Sequence, residues 1–188
     1  HDIGKLANPD YFVENQAPGH NPHDQLRPLQ SAQIIRNHVR EGLQLAEAYG
    51  VPRVLRAFIA EHHGTGTISY FLERAREQTR DAGAPESADY QYPGPVPQSA
   101  ETAILMLADG TEAAVRVLHD PTPTRIRDVV EHIVKLRLDQ GQLRHAPLTL
   151  HELELVKAEF TRVLSGIHHA RIDYPAAGGG VSAGFGAR

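Results

Sequence analysis

The chain has 188 residues, 19 Lys+Arg against 23 Asp+Glu, a formal net charge of −4, 12 His and no Cys. That length fits one domain able to bury roughly two thirds of its unfolded surface. The acidic balance argues against broad binding of nucleic-acid backbone, DNA or RNA duplexes included, and the lack of Cys excludes disulfides, thiolate metal sites and a Cys nucleophile.

Aromatic residues make up only 6%, so the core is expected to be aliphatic. No apolar run approaches the ~18 residues of a membrane span. The chain opens at His1, inside what reads as a motif, with no signal peptide. It is therefore expected to be a fragment of a longer protein. Residues 6–28 read as a loop, punctuated by Asn8-Pro9, Ala17-Pro18-Gly19, Asn21-Pro22 and Arg27-Pro28. A long irregular stretch in a compact domain is usually functional or disordered.

Leu29–Tyr49 reads as the first helix, with Ser31 as a candidate N-cap and Ile34, Ile35, Val39, Leu43 and Ala46 at helical spacing. Pro52 opens a second helix that stops at His62-His63-Gly64. A third is expected over about 67–80. Residues 81–98 are irregular and include Tyr92-Pro93-Gly94-Pro95. Ser99 caps a fourth helix running to about Leu118, with Glu101 in its first turn. Helices at about 124–140 and 149–170 complete an all-α domain, residues 1–175, and residues 176–188, rich in Gly and Ala, read as a disordered tail.

With no Cys, His and carboxylates are the remaining candidate metal ligands. His1-Asp2 offers a nitrogen ligand and a carboxylate able to bridge two metals, although the dipeptide alone is common. His38 shares the apolar face of Ile34 and Ile35, and Gly42 one turn on leaves room beside its ring. It is either a ligand or a hydrogen-bonded core histidine. His62 and His63 end their helix beside Gly64 and Gly66. Adjacent side chains diverge by about 100°, so both reach one metal only near the helix end; otherwise they form a solvated terminus. Asp109 follows Leu105 and Met106 on an apolar face, where an acid needs a metal, a salt bridge or a capping role. One metal centre accounts for these placements together, and imidazole plus carboxylate suits iron, manganese or zinc.

His1-Asp2-Ile3-Gly4-Lys5, His38, His62-His63 and Asp109 resemble the HD-domain metal-dependent phosphohydrolases. Phe12-Val13-Glu14-Asn15-Gln16, Asn21-Pro22-His23-Asp24, His38-Val39-Arg40-Glu41-Gly42 and Tyr92-Pro93-Gly94-Pro95 narrow the likeness. They resemble the cytoplasmic HD domain of PgpH-type seven-transmembrane proteins, which are cyclic di-AMP phosphodiesterases. The likeness covers about residues 1–175.

The resemblance implies an HD-type helical bundle with long irregular loops and two divalent metal ions, iron or manganese. One would lie on Asp2, His38, His62 and His63; the other would lie on His1, the bridging Asp2, Asp109 and a further His from a helix upstream. This chain carries no such upstream helix, so the second set is expected to keep three protein ligands. The implied reaction is hydrolysis of cyclic di-AMP to linear pApA by a hydroxide held between the metals. Lys5 is a candidate for contacting phosphate or assisting the leaving group, with Asp2 the other catalytic candidate. Asn15, Gln16, His23, Arg40 and Tyr92 are candidates for substrate contact, Tyr92 by stacking on adenine. Relatives that cleave cyclic di-GMP carry Gly-Tyr-Pro soon after the paired histidines; here Gly64-Thr65-Gly66-Thr67 follows, which favours cyclic di-AMP. Gly110 stands where related domains tend to have Ser; a mid-helix Gly costs about 1 kcal/mol in propensity. The expected location is the cytoplasmic side of a bacterial inner-membrane protein. A silent nucleotide-binding module, or a phosphohydrolase for another nucleotide, is the alternative.

Overall fold

Proline and glycine set most of the element boundaries. In this computed structural model, which describes residues 1–16, 19–79 and 84–169, six helices form: α1 Pro28–Ala48, α2 Arg53–Glu61, α3 Ser69–Gln78, α4 Ala100–Arg116, α5 Pro123–Asp139 and α6 Leu150–His169. No strand occurs among the described residues, and one isolated bridge pairs Thr67 with Gln91. The all-α expectation holds; the expected tail and the end of the third helix at Arg80 lie outside the described residues.

Two local readings are corrected. Ser31 does not cap α1: the helix opens at Pro28, where a missing N–H is harmless, and Ser31 is fully buried. The Gln30 side chain accepts instead from the Arg27 N–H at 3.2 Å. The second correction concerns residues 6–28, where short 3-10 turns occur among the described residues: Ile3–Ala7, Pro9–Tyr11, Val13–Asn15 and Pro22–Gln25. Pro and Asn block a long α-helix but permit isolated i+3 turns; Asn21 Oδ1 accepts from the His23 N–H at 3.1 Å in the last of them. Ser99 does cap α4, accepting from the Thr102 N–H at 3.2 Å.

Helix α4 is the hub. Ala103, Met106 and Leu107 pack with Val134 of α5, with Leu143 in the turn after α5 and with Leu153 of α6. Val115 meets Ile126, Val130 and Leu164 further along. On the other side, Ala32 of α1 packs with Phe71, Leu72 and Ala75 of α3 and with Tyr90. Helix α2 joins the halves, contacting both α1 and α4. Its last residue, Glu61, is buried and accepts from the Gln98 N–H at 2.9 Å and the Thr102 hydroxyl at 2.7 Å.

Glu61 therefore anchors the end of α2 immediately before His62. Glu61→Ala removes the carboxylate that accepts both bonds and is expected to cost about 2 kcal/mol. Urea unfolding checks this; a midpoint unchanged from the wild type would show that the anchor is dispensable.

Candidate metal centre

Three segments meet where α1, α2 and α4 converge. The His1-Asp2 turn lies flat on α1 because Gly4 has no side chain. A Cβ at Gly4 would overlap the His38 carbonyl oxygen and come within 2.5 Å of the Gly42 nitrogen. Gly42 thus makes room for the backbone of Gly4, 3.2 Å from its own Cβ position, and not for a ligand, a correction to the sequence reading.

His38 and His62 are both almost fully buried. Each Nδ1–H donates to a helix carbonyl one turn back, Ile35 at 2.5 Å and Ile59 at 2.9 Å. In the neutral rings, both Nε2 lone pairs then point inward, 3.1 Å apart. Asp2 Oδ1 lies 3.5 and 3.6 Å from them, buried and with no hydrogen-bond partner. Three acceptors facing one another repel unless a cation sits among them. The residues present therefore fit a metal ion, held by imidazole nitrogen and carboxylate oxygen. His63 completes this set, its ligand atoms lying within 4.8 Å of those of His38 and His62.

The other Asp2 oxygen faces away from that pocket. Asp2 Oδ2 is 3.4 Å from His1 Nε2 and 2.8 Å from Lys5 Nζ. Asp109, half-buried on α4, spans the mouth: its oxygens lie 3.8 Å from His1 Nε2 and 3.9 Å from His63 Nδ1. His1, Asp2 and His62 form a second compact donor group. The six residues expected as ligands are thus brought to one place, with the Asp2 carboxylate facing both groups.

The substrate candidates are distributed differently. Tyr92 is at the centre, its ring stacked on His63 at 4.2 Å between centroids and 21° between planes. One face of Tyr92 is therefore already covered. Lys5 bonds both Asp2 and Glu14 Oε1, the latter at 2.6 Å, and lies over the Phe12 ring. His23 is buried, with Nε2 2.9 Å from the Tyr11 carbonyl oxygen and its ring packed on Tyr11 and Phe71. Asn15 is exposed and donates to the Pro9 carbonyl at 3.2 Å, and Gln16 is half-buried beside it. Arg40 is exposed, two residues beyond buried His38 and so on the far side of α1.

Three further residues at the centre are not among the candidate site residues, and of these only Glu14 lies in a quoted motif. Glu14 pairs Lys5. Gln142 is buried and clamps the turn behind the paired histidines, accepting from the Thr65 N–H at 3.0 Å and donating to its hydroxyl at 3.0 Å. The turn needs Gly64 at φ +53°, and a Cβ there would overlap the Gln142 side chain. Arg137 comes from α5; its position one turn after Val134, on the core side, was the available signal.

The local fields separate the histidines. Burial pushes His38 down to about 4 and carries His63 well below its ordinary value. Pairing with Asp109, then with Asp2, lifts His1 to about 9 against burial. Burial alone would raise the Asp2 carboxyl, but His1 and Lys5 overcome it and hold the group well below the carboxylate range.

These shifts predict how metal-free stability responds to pH. A histidine at about 4 in the folded chain and 6.5 unfolded binds more protons when unfolded. Stability is then full above 6.5 and falls as pH drops towards 4, by roughly 3 kcal/mol for His38. His1 acts oppositely: its contribution is full below 6.5 and is lost as pH rises through about 9. Urea melts of EDTA-treated chain between pH 4 and 7 test the first effect; His38→Gln should flatten the acid limb.

Residues 1–114 match the HD domain family. The chain belongs to that family. This HD domain is 45% identical over 180 residues to the uncharacterized protein slr0104 of Synechocystis sp., covering 94% of this chain and 22% of the relative. It is 40% identical over 175 residues to the cyclic-di-AMP phosphodiesterase PgpH of Listeria monocytogenes, covering 93% of this chain and 24% of that protein. The domain therefore spans less than a quarter of each of these two curated relatives. A crystal structure of the L. monocytogenes PgpH HD domain in complex with cyclic-di-AMP superposes with a TM-score of 0.84 at 39% identity. That likeness covers 89% of this HD domain and 77% of the crystallised chain.

Proposed function

We propose that this HD domain is a metal-dependent phosphodiesterase that hydrolyses cyclic di-AMP to linear pApA. The observation that carries the reading is the likeness to the PgpH HD domain solved with cyclic-di-AMP, at 39% identity and a TM-score of 0.84. The His and Asp cluster adds the chemical means.

In the reaction, water oxygen adds to phosphorus, the P–O3′ bond breaks, and O3′ takes a proton. Metal ions at such a site act as Lewis acids on phosphoryl oxygens and lower the pKa of water at neutral pH. Two ions, of iron or manganese, are proposed, one on Asp2, His38, His62 and His63 and the other on His1, Asp2 and Asp109. Their positive charge would also offset the facing acceptors. The protein's own work is then positional. The Ile35 and Ile59 carbonyls fix both imidazole tautomers, as a metal-binding histidine requires. Glu61 and Gln142 hold the chain on either side of the paired histidines. Lys5, joined to Asp2 and Glu14, keeps Asp2 ionised and oriented. Lys5 is also the proposed proton donor to the departing alkoxide. Asn15, Gln16 and Tyr92 remain the proposed substrate contacts, while the burial of His23 and the outward placement of Arg40 make those two weaker ones.

No helix among the described residues is long and apolar enough to cross a membrane. The proposed setting is the cytoplasmic side of a bacterial inner-membrane protein, in line with the PgpH-type likeness. A panel of cyclic di-AMP, cyclic di-GMP, pApA and mononucleotides, incubated with the domain and manganese, tests substrate choice. Selective conversion of cyclic di-AMP to pApA is expected. Preferred cleavage of cyclic di-GMP or of mononucleotides would overturn the reading.

A further inference from the structure

Two cations stand beside the cluster, and they differ in one respect. Lys5 is neutralised by Asp2 and Glu14. Arg137 has no ion pair with any carboxylate among the described residues, although Asp109 attracts it and its charge reaches His63 and Tyr92.

The guanidinium is wedged between two glycines that flank metal-centre residues. Nη2 lies 3.6 Å from the Cβ position of Gly110, the residue after Asp109. Nη1 lies 3.4 Å from the Cβ position of Gly66, in the turn after His63. Nη1 donates to Gln140 Oε1 at 3.1 Å, and Nε is buried without a partner. Nη2 donates no hydrogen bond among the described residues. Gly110, the unexplained glycine of the sequence, thus borders the arginine. A cation partly withdrawn from water and left without a counter-charge is costly, and an arriving anion relieves that cost. The guanidinium fork suits phosphate oxygens in particular.

We propose that Arg137 is a substrate-binding residue that donates to a non-bridging phosphate oxygen of the cyclic dinucleotide from the α5 side of the centre. The inference rests on the phosphodiesterase reading above and adds a residue to it.

The test uses the full chain with manganese as wild type, Arg137→Gln and Arg137→Lys, with Arg127→Gln on the exposed side of α5 as control. Steady-state rates and cyclic di-AMP binding by calorimetry are measured together with manganese affinity. Arg137→Gln is expected to raise KM and Kd for cyclic di-AMP roughly 10- to 100-fold. Its kcat and manganese affinity should stay close to wild type, with Arg137→Lys intermediate. An unchanged KM and Kd in Arg137→Gln overturns the proposal. So does lost activity that tracks lost manganese affinity, which would make Arg137 a positioning residue for Asp109. If Arg137→Gln does not fold, a wild-type KM in Arg137→Lys, whose compact ammonium cannot reproduce the fork, overturns it equally. Wild-type chain that neither binds nor cleaves cyclic di-AMP overturns the phosphodiesterase reading itself, an outcome distinct from those.

Discussion

Asp2→Asn is expected to lower metal-dependent hydrolysis of cyclic di-AMP by more than the ~100-fold that follows loss of a residue merely supporting a metal ligand. The substitution keeps the shape of the side chain and removes its charge. Asp2 Oδ1 is the buried, unpartnered oxygen that faces His38 and His62, and Oδ2 faces His1 and Lys5. An amide offers one acceptor where the centre uses two, and its NH2 would either donate to the imidazole lone pairs that a metal needs or confront the Lys5 ammonium. Metal content by elemental analysis should fall alongside the rate. The fold should survive, because the hydrophobic clusters do not include Asp2. Near-normal turnover in Asp2→Asn would remove Asp2 from the chemistry.

Gly4→Ala is the second large effect. The added methyl has nowhere to go: it meets the backbone of α1 at His38 and Gly42, which cannot swing aside as a side chain can. Overpacking in a core costs about 1–3 kcal/mol, and a backbone collision belongs at or above the upper end. The turn carrying His1 and Asp2 must lift from α1. Activity should therefore collapse even where the helices remain folded. Circular dichroism and an activity assay on the same sample separate the two effects. Wild-type activity in Gly4→Ala would mean that the turn need not lie on α1.

Much of this arrangement was legible in the sequence, for identifiable reasons. Apolar spacing at Ile34, Ile35 and Val39 placed His38 inward, and it is almost fully buried. Ser99 before an apolar run marked the start of α4, and with it the register of Asp109. The ordered motifs pointed to the HD family, which the match over residues 1–114 shows.

What escaped depends on contacts between distant segments. Gly42 looked like space for a ligand, but periodicity along α1 says nothing about Gly4 arriving from 38 residues away. Gln142 and Thr65 are 77 residues apart and are joined only by the fold. Arg137 sits on an amphipathic helix, where an arginine near the core edge reads as a solvated face until its neighbours Gly66 and Gly110 are seen. His23 lay in a stretch read as loop, and its burial against Tyr11 and Phe71 follows from 3-10 turns too short to leave a periodic trace.

The claim on which the rest stands is that a metal ion occupies the pocket made by Asp2, His38, His62 and His63. Anomalous diffraction at the manganese edge, from crystals of the chain grown with manganese, tests it most directly. The account predicts a strong peak bonded to His38 Nε2, His62 Nε2 and Asp2 Oδ1. Manganese bound only elsewhere, with Nε2 of His38 and His62 still facing each other across an empty gap or a water molecule, would contradict it.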